Sequence, residues 1–366
     1  MFLKSIIFAK KIKMSKFYSL KVSHIEKLTS DSVCIRFDCS EFDSNLFQFK
    51  PGQYITINHK INGQEIRRSY SLSSSPDQDL EIGVKLVHKG LMSTFLVKEL
   101  KVGDFLDVMP PNGNFILDTN SQNKKHYFAI CAGSGITPVL SMIRKVLNDE
   151  PDSYFTLVYG NRTKSSTMFS DEIKSLEFSY QSQLLVFYAY SKEKYSDSIF
   201  GRINNEILKK IFDNNPDFTA LEDCFLCGPG DMIDNCSLFL ENIGIDKNKI
   251  HFEKFTSSSK DKNEIKEKIT KEILSQVTAS VDGDDFTFSL SSNHHSILDA
   301  VIEEGADAPF SCKGGVCCVC KAKVLEGEVE MDQNFALSEE EVAQGFVLAC
   351  QSHPVSEKVI IDFDEI

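Results

Sequence analysis

Four cysteines near the C-terminus restrict this chain more than any other residues. Cys312, Cys317 and Cys320 form a C-x4-C-x2-C run within Ser311-Cys-Lys-Gly-Gly-Val-Cys-Cys-Val-Cys320, and Cys350 follows after 29 intervening residues. This is the ligand spacing of a plant-type [2Fe–2S] cluster. Gly314 and Gly315 let the loop wrap closely, because glycine allows backbone N–H groups to turn toward inorganic sulfide. Two other readings compete. A structural zinc site uses paired short C-x2–4-C units, and only one short pair exists here. Buried inert thiols would not gather as four Cys in nine residues. Cys318 is the odd sulfur: using it in place of Cys317 gives x5 and x1 spacings, so it is read as a packing thiol. A cluster moves one electron at a time, so the segment points to electron transfer.

The chain has 366 residues, enough for two or three domains, and 42 % hydrophobic with 25 % charged residues is the composition of a folded globular protein. Its 11 cysteines are odd in number, and Cys34, Cys131 and Cys224 sit in apolar runs, which points to a reducing compartment and a cytoplasmic location. No apolar stretch reaches the ~18 residues of a membrane span. The basic start, Met1 to Met14, lacks the long apolar stretch and cleavage site of a signal peptide, so residues 1–16 are expected to be an extension. The net charge of −13 is concentrated: residues 277–366 hold 18 Asp/Glu against 4 Lys, a net of −14. That argues against nucleic-acid binding. It is either solubility charge or an acidic docking face for a basic partner or for a basic surface of the same chain.

Three blocks precede and include the cysteines. From about 15 to 120, short alternating segments such as Ser32–Phe37, Tyr54–Asn58, Leu80–Val87 and Phe105–Met109 are punctuated by Pro51-Gly52, Gly103-Asp104 and Pro110-Pro-Asn-Gly113, which predicts an antiparallel barrel. From about 125 to 255, apolar strands at Tyr127–Ala132, Phe155–Tyr159, Leu184–Tyr188 and Asp223–Cys227 alternate with helical patterns such as Pro138–Leu147, which predicts a parallel α/β sheet. A Ser/Lys/Glu-rich linker is expected at 256–275. The last block opens with a strand pair around Asp282-Gly283 and a helix near Ser296–Ile302.

Gly133-Ser-Gly-Ile-Thr-Pro138 lies between a strand and a helix, where glycines permit close backbone approach and the helix N-terminus favours a pyrophosphate. Pro138 suits the first helical turn. The following strand ends, Tyr159-Gly-Asn-Arg162 and Tyr190-Ser-Lys192, carry Arg162, Ser191 and Lys192 rather than the acidic residue of a typical NAD site. Cations with a hydroxyl fit a 2′-phosphate, so NADPH is favoured over NADH. Arg67-Arg-Ser-Tyr-Ser-Leu-Ser-Ser-Ser-Pro76 supplies an Arg for a phosphate and a Tyr for a flat ring, and Lys89-Gly-Leu-Met-Ser-Thr-Phe-Leu96 supplies a Gly turn with a Ser opening a helix. Together these fit a flavin dinucleotide.

Arg68-x-Tyr-Ser71, Gly90-x-x-Ser93, Gly133-x-Gly-x-x-Pro138, Cys227-Gly-Pro229, Phe252-Glu-Lys-Phe255 and the four cysteines occur in that order. The set resembles the ferredoxin–NADP reductase family fused to a C-terminal plant-type ferredoxin, over about Phe17 to Ile366. The runs Ser311–Cys318 and Ala349–Pro354 look closest to reductases that serve phenylacetyl-CoA epoxidation. The resemblance implies three domains: a flavin barrel at 17–120, an α/β nucleotide domain at 121–255 and, after the linker, a β-grasp ferredoxin at 276–366. It implies that Arg68 binds the FAD pyrophosphate, Tyr70 stacks on the isoalloxazine and Ser71 bonds near flavin N5. Gly90, Met92 and Ser93 would contact the pyrophosphate through backbone groups. Gly133, Gly135, Thr137 and Pro138 would frame the nucleotide, and Cys227, with Gly228 and Pro229, would sit by the nicotinamide with Glu253 nearby. Phe255 runs into the linker rather than ending the chain, so what covers the second flavin face is open. The implied activity is NADPH-driven electron transfer through FAD and a [2Fe–2S] cluster to an oxygenase. A Rieske ring-hydroxylating oxygenase, a steroid hydroxylase or a hybrid-cluster protein are alternative acceptors, and a non-enzymatic redox-sensing module is a remote alternative.

Overall fold

The computed structural model describes residues 16–215, 218, 221–255 and 272–365. Nearly all of the expected N-terminal extension, and residues 256–271 of the expected linker, lie outside the described residues.

The first sheet is antiparallel. It contains β1 (Tyr18–Thr29), β2 (Ser32–Asp38), β3 (Tyr54–Ile61), β4 (Gln64–Ser71), β5 (Glu81–Lys85) and β6 (Phe105–Asn112), in the order β4-β3-β6-β1-β2-β5. An antiparallel bridge between Leu72 and Ile82 ties the two ends together. Alternation sets the core: Leu20, Val22, Ile35, Phe37, Ile55, Ile57 and Ile82 point inward and are fully buried. Helix α1 (Leu91–Lys98) closes one end through Met92 and Leu96. The structure adds one element and changes one sequence expectation here. Asn62 and Gly63 both have positive φ, 51° and 83°, and form the tight hairpin turn that creates β4. Pro110 and Pro111, read as turn residues, lie inside β6; the register with β3 shifts between Tyr54 and Thr56, and that irregularity accommodates residues without ladder donors.

The second sheet is wholly parallel. β7 (His126–Ala132), β8 (Tyr154–Asn161), β9 (Leu184–Tyr190), β10 (Ile199–Phe200), β11 (Asp223–Gly228) and β12 (Ile250–Lys254) lie in the order β10-β9-β8-β7-β11-β12. Helices α2 (Ile136–Asp149) and α3 (Ser170–Ser179) cover one face, and α4 (Asn205–Asp213) and α5 (Gly230–Asn242) the other. Burial on both faces is why these strands read as apolar runs. A buried ionic cluster joins the two sheets. Arg144 of α2 reaches Glu81 at 2.9 Å and the Ser73 carbonyl at 2.7 Å, and Ser141 donates to the Ser74 carbonyl at 2.6 Å.

The third unit mixes both pairings. β13 (Leu274–Val281), β14 (Asp284–Ser291), β15 (Lys321–Glu326), β17 (Phe346–Leu348) and β19 (Lys358–Asp362) are ordered β14-β13-β19-β15-β17, with β13 and β19 parallel. β16 (Val329–Met331) and β18 (Ser352–Pro354) form a separate pair. Helix α6 (Ile297–Glu303), capped by the Ser296 side chain, packs against this sheet, and α7 (Glu339–Ala343) lies near its edge. The three architectures are those expected: an antiparallel flavin-type barrel, a parallel α/β sheet and an α+β β-grasp unit.

Candidate redox site

The cysteine loop folds so that its sulfurs meet. Cys312 Sγ and Cys317 Sγ are 3.1 Å apart, and Cys350 lies within hydrogen-bonding reach of both Cys312 and Cys320. The Gly314 N–H donates to Cys312 Sγ at 3.3 Å, and Gln351 Nε2 approaches Cys350 Sγ at 3.5 Å. The sulfurs share protons: hydrogen bonds from Cys317 and Cys350 hold the Cys312 thiol far below its ordinary value against burial, and the same contacts push the Cys317 and Cys350 thiols up. Gly315 has φ +70°, and a Cβ there would meet the Gln333 carbonyl at 3.1 Å, so the turn requires glycine. Among the described residues, no three His, Cys, Asp or Glu side chains are arranged to hold a single metal ion. A two-iron cluster instead spreads four thiolates over two centres, and this donor set fits that group. Cys318 Sγ faces away, toward the Ala336 carbonyl at 3.3 Å.

β4 and α1 position the residues expected around the flavin. Arg68 is exposed, with Nη1 donating to its neighbour's carbonyl at 2.6 Å, and Tyr70 packs against the barrel core. Gly90 caps α1 without any side-chain bond, while Met92 and Ser93 turn inward. Ser93 is therefore inside the helix rather than opening it; its hydroxyl accepts from the Val87 N–H at 3.1 Å and donates to the Gly90 carbonyl at 3.2 Å. Ser71 at the end of β4 donates to Glu253 Oε2 at 3.2 Å. Burial pushes the Glu253 carboxyl up to about 8, with the Ser71 bond opposing. Two expected residues from separate sheets thus meet.

The residues expected to meet the nucleotide cluster at the C-terminal ends of the parallel strands. Gly133–Gly135 form a 3-10 turn leading into α2; Gly133 has φ +56° and open space where a side chain would be. Gly135 packs so tightly that a Cβ would lie 2.3 Å from the Cys227 carbonyl oxygen. Thr137 and Pro138 are buried in the first turn of α2, and Thr137 Oγ1 donates to the Ser134 carbonyl at 3.0 Å. Cys227 is fully buried; burial first, then Glu253 and Cys131, push its thiol well up. Gly228 and Pro229 lead directly into α5. The Ser191 N–H bonds the Asn161 carbonyl and the Lys192 N–H the Arg162 carbonyl, each at 3.0 Å, so the two predicted cation-bearing strand ends are adjacent. The side-chain polar atoms of Asn161 lie buried beside them.

Sequence reasoning missed Tyr54, Lys85, Arg67 and Asn114. Lys85 Nζ donates to the Ser166 carbonyl at 3.1 Å; burial lowers its amine, and Arg162 adds to that against Asp31. Tyr54 is buried, and its hydroxyl accepts from the Cys318 N–H at 3.2 Å. Asn114 Nδ2 donates to Glu341 at 3.1 Å. Read from sequence, each sat in a strand or turn with no partner in view.

The comparisons with known proteins agree with this geometry. Residues 19–116 match the oxidoreductase FAD-binding domain, 129–237 the oxidoreductase NAD-binding domain and 279–355 the 2Fe-2S iron-sulfur cluster binding domain. The chain is 37 % identical over 354 residues to one component of the 1,2-phenylacetyl-CoA epoxidase of Escherichia coli K12, covering 96 % of this chain and 99 % of that one. The chain belongs to the ferredoxin–NADP reductase family with a fused plant-type ferredoxin. A second family member, the ferredoxin reductase component of 3-ketosteroid-9-alpha-monooxygenase from Rhodococcus rhodochrous, is 30 % identical over 94 % of this chain and 96 % of its own. In fold, this reductase–ferredoxin resembles phthalate dioxygenase reductase, with a TM-score of 0.58 at 22 % identity over 94 % of this chain and 98 % of that one. It also resembles part of a self-sufficient cytochrome P450 monooxygenase, with a TM-score of 0.71 at 22 % identity over 94 % of this chain and 41 % of that one. The protein is an NAD(P)H-dependent oxidoreductase that uses FAD and a [2Fe–2S] cluster for electron transfer. Among the described residues, no helix is long and apolar enough to cross a membrane.

Proposed function

We propose that this reductase takes electrons from NADPH and delivers them to an oxygenase acting on phenylacetyl-CoA. The observation that carries the acceptor is the 37 % identity to the epoxidase component over almost the full length of both chains. The 30 % likeness to the steroid monooxygenase reductase supports a second reading, with a steroid oxygenase as acceptor. When bound, the flavin exchanges a hydride for two single electrons and the cluster carries them one at a time. The chain's own work is to hold and orient these groups. Arg68 would hold the FAD pyrophosphate, Tyr70 would stack on its ring system, and the backbone N–H groups after Gly90 at the start of α1 would receive the phosphates. Ser71 and Glu253 hold a proton between the two sheets, beside Cys227. Gly133 to Pro138 receive the pyridine nucleotide with Gly228 and Pro229, and Arg162, Ser191 and Lys192 meet its 2′-phosphate. Cys312, Cys317, Cys320 and Cys350 bind the cluster.

Three separate sheets support a division at 17–120, 121–255 and 276–366 with a linker at 256–275, although β13 already begins at Leu274 within that linker. No disulfide joins any of the eleven cysteines, which supports a cytoplasmic location. Reconstitution with candidate oxygenases tests the acceptor. NADPH consumption coupled to epoxide formation from phenylacetyl-CoA is the expected result; coupling only with a steroid oxygenase transfers the assignment.

A further inference from the structure

We propose that the outer face of β3 and β4 is the seat on which the ferredoxin module receives electrons, and that Arg67 is the positioning residue that holds it there. Successive residues of a strand face opposite ways. On β4, Arg68 and Tyr70 share one face, and Arg67 and Ser69 share the other. The second pair contacts the ferredoxin. Arg67 Nη2 lies 3.4 Å from Asp307, and its guanidinium sits 4.4 Å from the Phe310 ring centre and 5.0 Å from that of Phe17. Ser69 Oγ shares a hydrogen bond of 2.8 Å with Ser311 Oγ, next to the ligand Cys312. On the neighbouring strand, Tyr54 binds the Cys318 amide, between ligand Cys317 and Val319. Tyr54 and Met109 of the barrel form one apolar cluster with Cys317 and Val319, with Phe17 and Cys312 packed against it.

The energetics single out the sandwich. Asp307 is 84 % exposed, so its ion pair alone adds little. The Arg67 side chain is only 11 % exposed between two rings, where a cation over aromatic faces is worth most. One strand therefore carries Arg68 and Tyr70 on one side and the contacts to the cluster loop on the other, with Ser71 ending the second side next to Tyr54. This inference rests on the assignment of Arg68 and Tyr70 to the flavin, and the test separates the two.

The test compares the full-length holoenzyme with Arg67→Ala, Phe310→Leu and the double variant. Rapid mixing with NADPH follows flavin bleaching and cluster bleaching as separate absorbance phases, and hydrogen exchange reports the Cys318 amide. Each single variant is expected to slow cluster bleaching about tenfold, the weight of one cation–π contact. The double variant is expected to slow transfer by less than the product of the singles, because both singles already remove the Arg67–Phe310 contact. Flavin bleaching, FAD content and iron content stay at parental values, and the Cys318 amide exchanges faster. Cluster bleaching at the parental rate overturns the proposal, as does multiplicative slowing to about a hundredfold in the double variant. Loss of FAD from Arg67→Ala would overturn it too, by placing Arg67 in the flavin site, whereas loss of FAD from Arg68→Ala alone leaves it standing.

Discussion

Ser71 and Glu253 are 182 residues apart in the chain, yet the Ser71 hydroxyl donates to the Glu253 carboxylate at 3.2 Å. The bond joins the last residue of an antiparallel strand to the last strand of the parallel sheet, where the three families of expected cofactor residues converge.

The Glu253 carboxyl is pushed by burial from 4.5 up to about 8. The folded chain thus keeps a proton that the unfolded chain releases, so stability falls as pH rises from the ordinary carboxylate value toward about 8. Glu253→Gln removes this dependence. Thermal midpoints of the variant and parent should diverge in favour of the variant between about pH 5 and about pH 8. A constant difference across that range would show that Glu253 does not titrate there.

Cys317→Ser should abolish the cluster, visible as lost iron and lost visible absorbance. Cys318→Ser should retain it, because Cys318 Sγ points to the Ala336 carbonyl and only its backbone N–H meets Tyr54. Equal loss in both would contradict the ligand assignment.

Arg144 lies between Glu81 and Glu172, with the Glu81 side chain only 4 % exposed. Burial raises the Glu81 carboxyl, but Arg144 and Arg36 outweigh it and hold it below its ordinary value. Arg144→Ala leaves Glu81 with Arg36 as its cationic partner and should cost less in denaturant unfolding than the about 3–5 kcal/mol of a fully unpaired buried charge. The Glu81 contribution is present above about pH 4.5 and is lost as pH falls through the lowered folded value.

Arg162 and Lys192 stand side by side through the bond between their backbones. Alanine at both should raise the KM for NADPH by about a hundredfold or more while leaving NADH within a few-fold, since only NADPH carries the extra phosphate. Parallel losses for the two nucleotides would remove the phosphate assignment.

Gly135→Ala should weaken nucleotide binding and lower the melting temperature together. Its Cβ would fall 2.3 Å from a backbone oxygen of β11, which no rotamer change relieves. Unchanged NADPH titration would mean that the turn relaxes elsewhere.

Much of this was legible in the residues because the physics is local. The cysteine spacing, the apolar runs of the buried parallel strands and the Asp282-Gly283 turn, with φ 55° and 85°, each write their structure into a few adjacent positions. β4 was harder to see. Gln64-Glu-Ile-Arg-Arg-Ser-Tyr-Ser71 is too polar for an ordinary half-buried strand, since Ile66 and Tyr70 pack on the barrel core while Arg67 and Ser69 meet a separate module. The Asn62-Gly63 turn was the available signal for it. Tyr54 and Asn114 could not be assigned a role from sequence, because their partners Cys318 and Glu341 lie more than 200 residues away.

The two-sidedness of β4 has a consequence for how such a chain can vary. Adding or deleting one residue after the Asn62-Gly63 hairpin would rotate every later side chain to the opposite face. Arg67 and Ser69 would then take the face of Arg68 and Tyr70, proposed for the flavin, and Arg68 and Tyr70 would meet the iron–sulfur module, disabling both at once. Divergence within this stretch should therefore proceed by replacement at fixed length, with insertions confined to the loops that flank it.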